Sequence, residues 1–291
     1  MISERLKERL RTFGDAMVPI HHDEGLVASS YRIDCRGRPV AVCKIHHHST
    51  AYFREHFFLN RLAGVVALPR VLAAIDSDLA LVMHYCPGYL VRPSEVLEGL
   101  GFQIGQALAL LHSQRVDRFG DPVEPSSLQQ SAIPLVQHKF EEELAECRSV
   151  LTKDELLACL ELFAQQKEKL SGVDGPCLIH RDFRPGNVLV LGDRLSAIID
   201  WASARFGFAE QDLATWESGE WPVSSAAKKS FYEGYASIRP VPDLGKVLKL
   251  LQLVRAVGVC GFIAKRGLAD STGKEPFQRN LQLLKAVLMS T

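Results

Sequence analysis

An aspartate, an asparagine and a second aspartate stand at a spacing that suits phosphoryl transfer. Residues 177–201 read CLIHRDFRPGNVLVLGDRLSAIIDW. Asp182 precedes Asn187 by five residues, and Asp200 lies thirteen further on. Two apolar runs, 188–191 and 195–199, flank Gly192-Asp193-Arg194, so the segment predicts a hairpin. Asn187 then opens one arm and Asp200 closes the other, which returns two oxygen donors to one place. Mg²⁺ takes carboxylate and amide oxygens together with substrate phosphates. Asp182, on the loop feeding the hairpin, is the carboxylate that would orient an attacking hydroxyl and accept its proton. The assignment is therefore Asp182 as catalytic base and Asn187 and Asp200 as metal ligands. Apolar flanks, Leu178-Ile179 and Ile198-Ile199, fix the backbone and leave the polar tips exposed.

A grip on the phosphate donor has to come from elsewhere in the chain. Lys44 ends the strand VAVCK, and Glu55 follows eleven residues on, inside a predicted helix. Taken alone, each reads as a surface charge; set beside the downstream motif and the family it resembles, the pair is expected to span strand to helix as an ion pair, with Lys44 donating to the α/β-phosphates of a nucleotide.

The surrounding elements follow from pattern. Residues 2–13 carry Ile2, Leu6, Leu10 and Phe13 at helical spacing. Residues 31–45 alternate around a Cys35-Arg36-Gly37-Arg38 turn and read as a hairpin. Thr50 is placed to cap a helix over 51–63. Strands follow at 70–75 and 79–85, and Cys86-Pro87-Gly88 stops the second. Leu97, Leu100, Ile104, Leu108 and Leu111 then predict a core-facing helix over 94–113. Further helices are expected near 135–147, 154–170, 209–217, 223–236, 243–264 and 276–289, around the β-patch at 177–200. Strands first and helices later predict an α+β fold of two lobes. Residues 1–86 would form a β-rich nucleotide-binding lobe and 87–291 a mostly helical catalytic and acceptor-binding lobe, with the boundary at 85–88.

Composition narrows the class. The 291 residues are 47% hydrophobic, and 34 basic side chains balance 34 acidic ones. A net charge of zero offers no broad basic field to nucleic acid or a membrane. Seven scattered cysteines without a CxxC pair read as reduced thiols of a cytoplasmic protein. The charged N-terminal stretch lacks the apolar core of a signal peptide. His46-His47-His48 reads as a strand-end loop, since neighbouring side chains on a strand point different ways and suit a metal poorly.

The motifs resemble those of the aminoglycoside phosphotransferase and choline kinase superfamily, which shares the protein-kinase fold. That family carries His-x-Asp-x-x-x-x-Asn, then Ile-Asp-Trp, a Gly and an Asp-Leu-Ala. This chain has His180-Arg181-Asp182-Phe183-Arg184-Pro185-Gly186-Asn187, then Ile199-Asp200-Trp201, Gly207 and Asp212-Leu213-Ala214. The similarity runs from about residue 20 to 235. It implies an ATP-dependent (or other nucleoside-triphosphate-dependent) and Mg²⁺-dependent transfer of the γ-phosphoryl group to a hydroxyl of a small molecule, such as an aminoglycoside, an amino alcohol or a sugar. It implies structural duties for His180 and for Asp212, which would brace the catalytic loop. It also places the hinge at residues 81–88, where backbone groups of His84 and Cys86 would meet the adenine edge and Met83 would face the back of the pocket.

Two departures accompany the match. The phosphate-covering loop, Glu24-Gly25-Leu26-Val27-Ala28-Ser29-Ser30-Tyr31, keeps only Gly25 of the usual glycines, and Ser29 or Ser30 is left to supply a polar group. Arg184 stands two residues after the base, where many relatives have His and protein Ser/Thr kinases have Lys. A cation there can neutralise charge on the transferring phosphoryl group, so Arg184 joins Asp182 as a catalytic candidate. A protein Ser/Thr kinase and a non-catalytic nucleotide-binding scaffold stand as alternatives. Against the first, only eleven residues separate Asp200 from Asp212, and no Ala-Pro-Glu triplet follows to build a peptide-docking segment. Against the second, Lys44, Asp182, Asn187 and Asp200 are all present.

Overall fold

The computed structural model describes residues 3–20, 28–217, 219, 221–271 and 273–290. The chain begins with α1 (Glu4–Leu10), β1 (Ala16–Ile20), β2 (Ala28–Cys35), β3 (Arg38–His46) and α2 (Ser49–Arg61). It continues through β4 (Val71–Ile75), β5 (Ala80–His84), β6 (Tyr89–Leu90) and α3 (Glu98–His112). Next come α4 (Ala132–Glu146), α5 (Lys153–Gln166), β7 (Cys177–Ile179), β8 (Val188–Leu191), β9 (Arg194–Ile198) and β10 (Arg205–Gly207). Helices α6 (Ala209–Glu217), α7 (Ser225–Ala236), α8 (Leu248–Lys265) and α9 (Lys274–Met289) complete it. The fold is α+β, with the strands concentrated early and the helices late. No helix among the described residues is long and apolar enough to cross a membrane.

The chain divides into two compact units. The first comprises Met1–Ser113, His180–Ala204 and Trp221–Pro240. Its antiparallel sheet has the order β1-β2-β3-β5-β4. One sheet face is apolar because Ile33, Ala41 and Cys43 alternate onto it, and α1 covers that face with Leu6 and Leu10. Ser3 caps α1 by accepting the Leu6 N–H at 3.1 Å. Lys44 alternates with Cys43 and so leaves the sheet on the other side. A second sheet, β6-β8-β9, carries the predicted hairpin, with Val188 opposite Ile198. Gly88 (φ +128°) lets the chain reach this sheet, since a Cβ there would sit 2.3 Å from the Val190 carbonyl oxygen.

Helices α3 and α7 pack on each other in the same unit. Buried His112 at the end of α3 shares a 2.9 Å hydrogen bond between Nδ1 and the Tyr235 hydroxyl of α7. Gly105 permits the approach: a Cβ at that position would lie 2.0 Å from the Phe231 carbonyl oxygen. Gly105→Ala is therefore expected to force the helices apart at a cost of about 3 kcal/mol. Thermal unfolding should show a midpoint lowered by roughly 6 °C or more.

The second unit comprises Gln114–Ile179, Arg205–Glu220 and Val241–Thr291. It is mostly helical around a core of Phe140, Phe163, Leu250, Val257 and Cys260, with β7 paired to β10. Helix α5 starts at a capping box, Thr152 with Glu155.

Several boundaries differ from the sequence reading. Helix α1 is shorter than 2–13, and α2 begins at Ser49 with His48 rather than Thr50 at the cap. Helix α3 begins at Glu98, not 94, because Pro93 opens a separate 3₁₀ turn, Pro93–Glu95. Helix α4 (Ala132–Glu146) starts three residues earlier than expected, and α5 (Lys153–Gln166) ends four residues earlier. Helix α8 starts at Leu248 rather than 243 because a 3₁₀ turn, Leu244–Lys246, precedes it. Strands β1, β6 and β10 are additional.

Candidate active site

The catalytic-loop residues, the hairpin and the Lys44–Glu55 pair all belong to the first unit. Strand β7 delivers the chain to His180, which is completely buried. Its Nε2 bonds the Ile199 carbonyl at 3.0 Å, and its Nδ1 receives the Asp182 N–H at 3.3 Å. His180 thus joins the loop before Asp182 to the strand end before Asp200. The next residue, Arg181, turns the chain with φ +66°. A residue with a Cβ is strained in this region and persists there only where the surroundings hold it.

Asp182 is held from one side. Asn187 Nδ2 donates to Asp182 Oδ2 at 2.7 Å and to the Asp182 carbonyl at 2.8 Å. Arg184 Nε donates to the same Oδ2 at 3.2 Å. A carboxylate only accepts, so the Asn187 amide must turn its nitrogen toward Asp182 and its Oδ1 away. Neither Asp182 Oδ1 nor Asn187 Oδ1 takes a hydrogen bond among the described residues. One oxygen is left to receive a proton and another to meet a cation. The Arg184 guanidinium also lies over Gly186, where a Cβ would come within 2.5 Å of Nη1.

Asp200 closes the other arm. The Ile199 N–H donates to the Asn187 carbonyl at 2.9 Å, so the two metal-ligand candidates are tied through their backbones. Asp200 sits in the left-handed region at φ 64°, ψ 64°. Its Oδ1 receives Lys44 Nζ at 2.6 Å, while Oδ2 takes no hydrogen bond among the described residues. Lys44 Nζ also lies 2.6 Å from Glu55 Oε2, so the expected strand-to-helix ion pair is formed.

Charge fixes the protonation of this trio. Burial works to raise the Glu55 carboxyl, but Lys44 and then His46 outweigh it and hold Glu55 below its ordinary value. Burial likewise opposes ionisation of Asp200, and Lys44, by charge and by hydrogen bond, overrides it, with smaller help from His180 and Arg184. Burial pushes Lys44 down, yet its two carboxylate partners leave it raised overall. All three are charged at neutral pH. The donor set suits Mg²⁺: an amide oxygen and an ionised carboxylate, both hard, of the kind that substrate phosphates complete.

Comparison with known proteins fits this geometry. The profile of the phosphotransferase enzyme family (APH) matches residues 22–266. The chain belongs to that family. It is a phosphotransferase. No curated protein sequence matches it. Among solved structures, a thermostable mutant of aminoglycoside phosphotransferase APH(4)-Ia in its apo form has a TM-score of 0.73 at 16% identity, covering 99% of this chain and 100% of that one. The gentamicin complex of APH(2″)-IIa has a TM-score of 0.68 at 14% identity, over 100% and 97% of the two chains. The streptomycin–ATP–APH(2″)-IIa ternary complex has a TM-score of 0.70 at 15% identity, over 97% of each. At these identities the likeness is one of fold.

The remaining site candidates of this phosphotransferase fall as follows. Met83 is buried on β5, opposite Val42. The His84 N–H is spent on the Arg70 carbonyl at 2.8 Å, which leaves the Cys86 N–H without a partner among the described residues. Ser29 lies on the wrong face for phosphates near Lys44: it pairs with Ile45, and its Oγ contacts His47 Nε2 at 3.4 Å. Ser30 is the register partner of Lys44 and shares its face. Gly25 lies outside the described residues.

Several supports escaped the sequence reading. His46 is the last residue of β3, not part of a loop, and its Nε2 lies 3.1 Å from Glu55 Oε2, off the ideal hydrogen-bond line. Trp221 donates from its indole N–H to the Phe183 carbonyl at 2.9 Å, bracing the loop between Asp182 and Arg184. Arg54, next to Glu55, donates to the Ala202 carbonyl at 2.7 Å. Two of these three bonds end on backbone carbonyls, for which a sequence carries no signature.

Proposed function

We propose that this protein transfers the γ-phosphoryl group of ATP, or another nucleoside triphosphate, to a hydroxyl of a small molecule with Mg²⁺. The observation that carries the reading is Asp182. One carboxylate oxygen is fixed by Asn187 and Arg184, and the other accepts no hydrogen bond among the described residues. Oδ1 orients the acceptor hydroxyl and takes its proton as the oxygen attacks. Lys44, anchored by Glu55, donates to the donor phosphates, and Ser30 offers a hydroxyl on the same side of the sheet. A Mg²⁺ held by Asn187 and Asp200 would neutralise charge on the phosphates. Residues 1–86 serve as the nucleotide-binding lobe, with the Met83–Cys86 stretch toward the base, and 87–291 carry the catalytic loop and the acceptor. Aminoglycosides, amino alcohols and sugar-like polyols are the acceptor classes to try. The short run from Asp200 to Asp212 supports a small acceptor over a peptide.

Arg184 sits beside the carboxylate that receives the proton, where its charge would oppose that of the transferring group. Arg184→Ala is expected to lower turnover by about 100-fold while nucleotide affinity stays within about twofold. Steady-state kinetics with a separate nucleotide titration checks this, and unchanged turnover would remove Arg184 from the chemistry. The function itself is tested by a coupled ADP-release screen over aminoglycosides, amino alcohols and sugars, with Asp182→Asn as the control. Acceptor-stimulated release that the variant lacks supports the reading. Release seen only with protein acceptors overturns it.

A further inference from the structure

We propose that Arg54 is a positioning residue for Asp200, the second half of a clamp that α2 places on the segment after that aspartate. The inference rests on the reading of Asp200 as a ligand of the Mg²⁺–nucleotide complex. Arg54 and Glu55 are consecutive on α2 and both are buried, at 7% and 2% exposure. They reach the same short stretch with opposite chemistry. Glu55 Oε1 accepts the Trp201 N–H at 3.3 Å, and Arg54 Nη1 donates to the Ala202 carbonyl at 2.7 Å. These belong to the first and the third peptide groups after Asp200.

The backbone there needs such a hold. Asp200 is at φ 64°, a region that side chains with a Cβ adopt only under constraint. The side before Asp200 is tied down already: Trp201 Nε1 donates to the Ile198 carbonyl at 2.9 Å, Ile199 N–H to Asn187, and His180 bonds the Ile199 carbonyl. The side after it is tied to α2 through Glu55 and Arg54. With Arg54 removed, the segment can relax toward ordinary φ, and the carboxylate turns away from the position in which Lys44 meets Oδ1 and Oδ2 stays open. A buried guanidinium is costly unless its donors are used, which argues that this placement is constrained rather than incidental. Glu55 thereby has two tasks, holding Lys44 with Oε2 and the Trp201 peptide with Oε1. Arg54 makes α2 a coupling element between the phosphate-gripping lysine and the metal-binding aspartate.

The test uses the full chain with Arg54→Met and Arg54→Lys. Hydrogen exchange is followed over residues 199–204 in nucleotide-free, Mg²⁺-free protein. AMP-PNP binding is measured by calorimetry with and without Mg²⁺, and thermal unfolding reports the fold. Arg54→Met is expected to speed exchange in that stretch about tenfold and to weaken Mg²⁺-dependent AMP-PNP binding about tenfold, with Mg²⁺-free binding within about twofold of wild type. Arg54→Lys, which keeps a charged donor but not the guanidinium fork, should fall in between. Folded Arg54→Met with wild-type exchange and a wild-type Mg²⁺ response overturns the proposal, as does equal weakening with and without Mg²⁺. Should Arg54→Met not fold, Arg54→Lys decides alone: intermediate values support the clamp and wild-type values overturn it. Wild-type protein without Mg²⁺-dependent binding would overturn the reading of Asp200 instead, and the exchange data would then decide the clamp by itself.

Discussion

Asp182→Asn is expected to lower turnover by about 1,000-fold while leaving nucleotide affinity within about twofold. The substitution keeps the shape of the side chain and removes the base. In the native loop Asp182 Oδ2 accepts from Asn187 and Arg184, and an amide can still present one oxygen to both donors. The open position then holds an NH₂ group, which donates where a proton must be accepted. The loop should survive, because its other ties do not involve the Asp182 side chain: His180 to Ile199, Trp221 to Phe183, and the Arg184 N–H to the Asp182 carbonyl at 3.0 Å. Single-turnover kinetics, with nucleotide affinity measured separately, checks the outcome. A variant that retained a tenth or more of wild-type turnover would move the base elsewhere.

Asp200→Asn should act at a different step. It deletes the carboxylate that Lys44 holds ionised against burial, and with it the charged oxygen available to a cation. Asp200 is partly exposed, at 43% of its side chain, so what is lost is a charged oxygen ligand and not a buried pair, and Mg²⁺-dependent nucleotide affinity is expected to fall by about 100-fold. Lys44 keeps Glu55 at 2.6 Å, so binding without Mg²⁺ should change little. The two variants separate the roles: Asp182→Asn binds and does not transfer, whereas Asp200→Asn fails to gain from Mg²⁺. Calorimetry on both proteins under one buffer condition makes the comparison. A parallel loss of Mg²⁺-dependent and Mg²⁺-free binding in Asp200→Asn would point to collapse of the Lys44 trio instead.

What the sequence made legible follows from the kind of interaction involved. The hairpin around Gly192-Asp193 was readable because its arms are short apolar runs and the turn residues between them are distinctive. Glu55 was readable as the partner of Lys44 because both ends of that bond are side chains of opposite charge. Arg54 and Trp221 were not, because their partners are carbonyls 148 and 38 residues away, and any residue type supplies a carbonyl. Ser29 against Ser30 turned on strand register, where a shift of one residue exchanges the two faces. Strand β1 escaped because it is a short edge strand, AMVPI, with Pro19 inside it, and proline argues against a strand unless the strand lies at an edge. Strands β6 and β10, two and three residues long, are too brief to show any period. The start of α3 shifted because Leu97 holds the cap position without a side-chain cap, so nothing at that point marks the boundary.

The proposed reaction requires that Lys44, Asn187 and Asp200 hold a nucleotide through Mg²⁺ beside Asp182. The most direct measurement is calorimetric titration of the wild-type protein with AMP-PNP, with and without Mg²⁺. Saturable binding that Mg²⁺ strengthens by about tenfold or more is expected, as removal of one charged partner from such a site would reverse. Binding that is absent, or the same with and without Mg²⁺, would contradict it.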